Sequence, residues 1–101
     1  LQYRERGRSI DELTNILSRE EPVILGTNRI GGLSGGHIVL VTDFFEHSNG
    51  IHFEVCDPFG NALTDYQDKD GEAILYNYRY LMHHAQLCDG LDNNKIRFMN
   101  L

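Results

Sequence analysis

Apolar and polar positions recur along this chain with two different periods, and the period changes where the element type should change. In "SIDELTNILSRE" (9–20), Ile10, Leu13, Ile16 and Leu17 fall three or four residues apart, which gives a helix one apolar face. Ser9 followed by Glu12 makes a capping box: the serine oxygen takes a free backbone N–H while the glutamate reaches back. Pro22 then opens "PVILGT", a short apolar run that predicts a buried strand. "NRIGGLSGG" carries four glycines in nine residues and predicts a loop. It lacks the lysine and the following helix of a phosphate-binding loop, so its glycines are read as backbone freedom beside a site.

Residues 37–45 are the next predicted strand. "EHSNG" predicts a turn, with Asn49 and Gly50 at positions that tolerate positive φ. In 51–56 the period is two: Ile51, Phe53 and Val55 alternate with His52, Glu54 and Cys56. "DPFGN" ends that strand, because proline has no N–H for the ladder. The polar stretch "TDYQDKDGE" leads into "AILYNY". "YRYLMHHAQL" predicts a second helix, "CDGLDNN" breaks it, and "KIRFMNL" predicts a closing strand. The order α, β, β, β, α, β, with adjacent strands antiparallel, is that of an α+β domain spanning residues 1–101.

Composition narrows the function classes. A chain of 101 residues has room for one domain, with little reserve in its core. With 41% hydrophobic and 24% charged residues it lies in the globular range. There is no apolar run long enough to cross a bilayer and no signal-peptide pattern, so no membrane insertion is expected. Fifteen acidic residues against nine basic ones give a net charge of -6, which repels phosphate backbones and argues against a nucleic-acid partner. "YRERGR", with Arg4, Arg6 and Arg8, is the local exception and is read as a solvated segment. Cys56 and Cys88 form neither a CxxC pair nor a disulfide framework and leave the compartment open. The chain opens on Leu1 rather than Met, which raises the expectation of a processed or excised product.

Two metal patterns fail on chemistry. With Gly71 at the sixth position of a calcium loop, Asp68 and Asp70 fall correctly, but Tyr66 and Asn77 occupy the first and twelfth positions, where carboxylates are needed. His83 and His84 are adjacent on a helix and point about 100° apart, so they cannot share an ion as an i, i+4 pair does. No metal and no cofactor is expected.

His37 is a different case. It stands at the mouth of an apolar strand, and Asp57 closes the next strand of the same hairpin, so both belong to one end of the sheet. A carboxylate there can accept the imidazole Nδ1–H, fix the tautomer and leave Nε2 to exchange a proton. This pairing carries a geometric condition. A two-residue turn at Asn49-Gly50 pairs Thr42 with Asp57 and puts His37 on the wrong face. An odd-length loop or a bulge between Phe45 and Ile51 is therefore required.

"GGHIVLVTDFFEHSNGIHFEVCDPFG" (35–60) resembles the signature of papain-fold cysteine peptidases: GH, apolar strand, turn, strand, DP, aromatic, G. More closely, it resembles the branch of bacteriocin-processing (double-glycine leader) peptidases and their stand-alone relatives in bacteria and phages. "EEPVILGT" with its preceding helix, and "GNALTDYQDKDGEAILYNYRYLM", resemble the flanking segments, so the likeness covers roughly 9–87. The resemblance implies a papain-like fold, an antiparallel sheet with flanking helices, and cleavage of a peptide or protein substrate. It implies His37 as general base and Asp57 as the residue that orients it. Gly35, Gly36 and Phe59 would then border the substrate cleft, Tyr66 would shape its wall, and core packing is the other job open to Phe59.

The family's nucleophilic cysteine lies on an N-terminal helix, a few residues after an oxyanion-holding glutamine. Gln2 has no cysteine after it at that distance and takes no such role. Cys56 is adjacent to Asp57 on a strand and points away from the pair, Cys88 stands where the family has no nucleophile, and both are read as inert thiols. Ser34 sits in a glycine loop without elbow geometry. The expectation is the His- and Asp-bearing part of a cysteine peptidase, with the cysteine-bearing helix not present in this chain and belonging to a separate or missing N-terminal segment. Two other readings compete with it: an inactive protein-binding module of the same fold, and a small acidic regulator with a structural histidine.

Overall fold

The computed structural model describes residues 2–3, 8–86, 95–96 and 98–100. The readings of Arg4 and Arg6 as solvated, of Cys88 as an inert thiol and of "CDGLDNN" as a helix stop lie outside those residues. So do the side chains of Arg8 and Ser9, and with Ser9 the capping box.

Two short strands, β1 (Gln2–Tyr3) and β2 (Arg8–Ser9), precede the first helix, α1 (Ile10–Ser18). Leu13, Ile16 and Leu17 are its buried face, as the spacing predicts. The helix stops at Ser18, where Arg19 and Glu20 donate their N–H groups to the carbonyls of Ile16 and Leu17. Four strands then run in sequence: β3 (Val23–Asn28), β4 (Gly36–His47), β5 (Gly50–Cys56) and β6 (Ile74–Asn77). The second helix, α2 (Tyr78–His84), and two short strands, β7 (Lys95–Ile96) and β8 (Phe98–Asn100), follow.

The main sheet has the order β1-β8-β3-β4-β5-β6 with antiparallel pairings throughout, while β2 and β7 pair separately. The class is α+β, an antiparallel sheet with two helices. No strand was expected before the first helix, where β1 and β2 stand, and three further details differ. Residues 74–77, assigned no element from the sequence, form a further strand of the sheet. The closing strand divides between two sheets. The second helix ends at His84, because Ala85 turns extended and bridges Thr27 while the Gln86 N–H donates to the Gly26 carbonyl.

Alternation decides which face is buried. Val23 and Leu25, Val39 and Val41, Phe53 and Val55, and Tyr76 point to one side and meet Leu13, Leu17 and Leu81 of the helices. Each fully buried side chain of this kind contributes about 1.5–3 kcal/mol relative to an exposed one. Among the described residues no helix is long and apolar enough to cross a membrane.

The β4–β5 hairpin meets the geometric condition, but not where it was expected. His47 pairs with Gly50, so the turn is Ser48–Asn49, one residue earlier than predicted, and only Gly50 takes positive φ (114°). From Phe45 to Ile51 the ladder is regular. The irregularity lies farther along: Val41 faces Val55 and Asp43 faces Glu54, which leaves Thr42 bulged. The Thr42 hydroxyl donates to Glu54 Oε1 at 2.8 Å and holds the bulge. Beyond it Leu40 faces Cys56. One residue past the end of β5, that register sets Asp57 opposite Val39, on the face shared by His37.

Candidate active site

His37 is the second residue of β4, and its backbone is fixed by its neighbour in the sheet. It pairs with Thr27 of β3, whose fully buried hydroxyl donates to the His37 carbonyl at 2.7 Å. The Thr27 carbonyl in turn accepts from the Gln86 side-chain amide at 3.1 Å. Asp57 follows β5 directly. Its N–H donates to the Gly71 carbonyl and its carbonyl accepts from the Gly60 N–H, so the strand end is anchored on both sides. A Cβ at Gly71 would run into the Asp57 carbonyl, and this close approach requires glycine.

The two side chains meet. His37 Nε2 lies 2.8 Å from Asp57 Oδ1, with 10% and 1% of their side chains exposed. Asp57 Oδ1 also accepts from the Phe59 N–H at 2.9 Å, and Oδ2 accepts from the Tyr66 hydroxyl at 2.6 Å. Three donors thus serve a carboxylate cut off from water, which is how a buried charge is stabilised. Because an ionised carboxylate only accepts, the bonded nitrogen is the one that carries the proton. The expected ring orientation is therefore reversed: Nε2–H is held by Asp57, and Nδ1 carries the lone pair available for chemistry.

Phe59 is 51% exposed and does not pack in the core. Its ring stacks on the imidazole at 4.3 Å between centroids, 23° from parallel, while Tyr66 meets both rings edge-on. Phe59 thus covers one face of His37. Gly35 and Gly36 are exposed where the loop enters β4; the Gly35 carbonyl closes the loop by accepting the Arg29 N–H at 3.0 Å. The earlier glycine pair does something else. Gly31 is buried at φ 60°, and a Cβ there would run into the Tyr66 ring.

Tyr66 is buried and, instead of lining a cleft wall, stands behind Asp57. Burial, followed by the bond to Asp57 and the charge of that carboxylate, pushes its phenol far above the ordinary value of 10.0, so it remains a protonated donor. The Tyr76 phenol is raised too, by burial foremost, although the Ala62 N–H bond to its oxygen opposes the shift. Sequence periodicity gave no sign that Tyr66 touches Asp57; the nearest signal was Gly31, which opens space for its ring.

Cys56 pairs with Leu40, is half-buried and lies on the opposite face from Asp57. The other histidines do not join the site. His84 Nδ1 bonds the Asn28 carbonyl at 3.0 Å, and the His83 and His84 rings meet edge to face. In the "DKDGE" turn, Asp68 and Asp70 accept the N–H groups of Asp70 and Glu72. Among the described residues no group of three or more His, Cys, Asp or Glu side chains is arranged to hold a metal. No family model, no curated protein and no solved structure matches the chain.

Proposed function

We propose that this chain carries the base-bearing part of a papain-fold cysteine peptidase, an amide-bond hydrolase resembling the bacteriocin-processing type. The observation that supports this most is the buried His37–Asp57 contact at the end of an antiparallel hairpin, in the order and spacing of that family's signature.

In the intact enzyme a cysteine thiolate, brought by the N-terminal helix that the family likeness implies, is the nucleophile. Paired with the imidazolium, it has a lowered pKa and attacks the substrate carbonyl. His37 then gives its Nδ1 proton to the leaving amine and activates water for deacylation, while Asp57 holds the ring through Nε2. The loop 28–36 and Phe59 border the path of an extended peptide. The chemistry requires no metal and no cofactor.

An electrophilic probe tests this proposal. The protein carrying its cysteine-bearing helix is treated with a peptidyl vinyl sulfone and analysed by mass spectrometry. One adduct on that cysteine, lost in His37→Ala, is the expected result. No adduct, or equally fast labelling in His37→Ala, would overturn the enzyme and leave a peptide-binding module of the same fold.

A further inference from the structure

A carboxylate turns easily about its last torsion, which is broad and two-fold. Asp57 must therefore be held if its Oδ1 is to face His37 rather than swing past it. Two of its donors, His37 and the Phe59 N–H, both act on Oδ1. Among the described residues, Tyr66 is the donor on Oδ2, at 2.6 Å. It opposes the other two across the carboxylate.

The surrounding chain is shaped to put that phenol there. Asp65 and Tyr66 are successive non-glycine residues with φ of 53° and 62°, a conformation that L side chains rarely adopt. They are held in it by N–H bonds to the carbonyls of Ala62 and Asn61. On the far side the Tyr66 ring rests against Gly31, itself at positive φ, where any Cβ would collide with it. Strained backbone at Asp65 and Tyr66 and a glycine at 31 that leaves the ring room thus place one phenol, and such strain persists where the surrounding structure enforces it.

We propose that Tyr66 is a positioning residue: its hydroxyl locks the Asp57 carboxylate against His37 and thereby keeps the imidazole proton on Nε2 and Nδ1 free. What Nδ1 then does rests on the peptidase proposal; the lock rests on the contacts themselves. Gly31 serves the same lock by leaving room for the ring.

Tyr66→Phe keeps the ring and deletes the donor. Proton–nitrogen NMR of the 101-residue chain should show the His37 Nε2–H slowly exchanging. In Tyr66→Phe, with the amide spectrum otherwise retained, that proton should exchange at least about tenfold faster, as expected when a bond to a charged group is lost. A second reading needs no variant of Tyr66. In the unmodified chain the Tyr66 hydroxyl proton should be protected enough to observe, and it should vanish in Asp57→Ala. An unchanged His37 Nε2–H rate in Tyr66→Phe, or no protected Tyr66 hydroxyl in the unmodified chain, would overturn the lock. Both signals as expected, together with failed vinyl sulfone labelling, would sink the peptidase and spare the lock.

Discussion

Thr42 is tied to Glu54 across the hairpin by a 2.8 Å hydrogen bond from its hydroxyl to Oε1, and it has no opposite number on β5 although Val41 and Asp43 on either side of it do. A regular ladder carried through Thr42 would set Leu40 against Asp57 and turn His37 to the outer face. Thr42 is thus the extra residue. Its deletion should leave Val41 facing Val55 and Asp43 facing Glu54, so a chain lacking Thr42 is expected to fold with the protected His37 Nε2–H retained. Thr42→Val, which keeps the residue and loses the hydroxyl, should cost about 1 kcal/mol in urea unfolding and leave the same NMR signal in place.

Asp57→Ala should be among the costliest single changes in the chain. It strands the His37 and Tyr66 donors in a site from which water is excluded, and a loss of about 2–4 kcal/mol is expected. Asp57→Asn keeps an acceptor oxygen for one donor and should cost less. Urea midpoints of the two variants check the order; equal stability to the parent chain in Asp57→Ala would contradict it.

The glycines divide sharply. Gly31→Ala forces a side chain into both a left-handed backbone and the Tyr66 ring, so a loss of about 2–4 kcal/mol is expected from overpacking and backbone strain together. Gly35→Ala meets nothing within 4 Å and should change stability by less than about 0.5 kcal/mol. Thermal unfolding of the two variants side by side checks the contrast.

High pH should unfold the protein through its buried phenols. Tyr66 and Tyr76 are raised above 10.0 in the folded chain, so the unfolded chain gives up those protons first. Stability is therefore fully present below pH 10 and falls above it, by about 1.4 kcal/mol per pH unit for each tyrosine until the folded phenol also ionises. Tyr66→Phe should make that fall shallower by one proton. Urea unfolding at pH values from 9 to 11.5 measures the slope.

The helix face of α1 and the strands flanking "EHSNG" were legible because each follows from a short-range pattern, a 3.6 period and a 2.0 period. For His37 and Asp57 the pattern gave a shared end of the hairpin, while their shared face came from the bulge at Thr42. What the sequence did not reveal came from contacts between distant segments. Thr42 is accommodated as the extra residue of β4, with its hydroxyl bonded to Glu54, twelve residues on. Phe59 leaves the core because its N–H is drawn to Asp57 and its ring finds His37. The second helix stops early because Ala85 and Gln86 find the free edge of β3 at Gly26 and Thr27. The choice of Nε2 over Nδ1 depended on which ring edge faces the carboxylate, and no spacing encodes that.

Turnover is the most direct test of the central claim that His37 is the base of an amide hydrolase. In the cysteine-bearing protein that the peptidase proposal requires, cleavage of a fluorogenic peptide should be thiol-dependent, and kcat/KM should fall by about a thousandfold or more in His37→Ala. Turnover in His37→Ala within a few fold of the parent protein would contradict it.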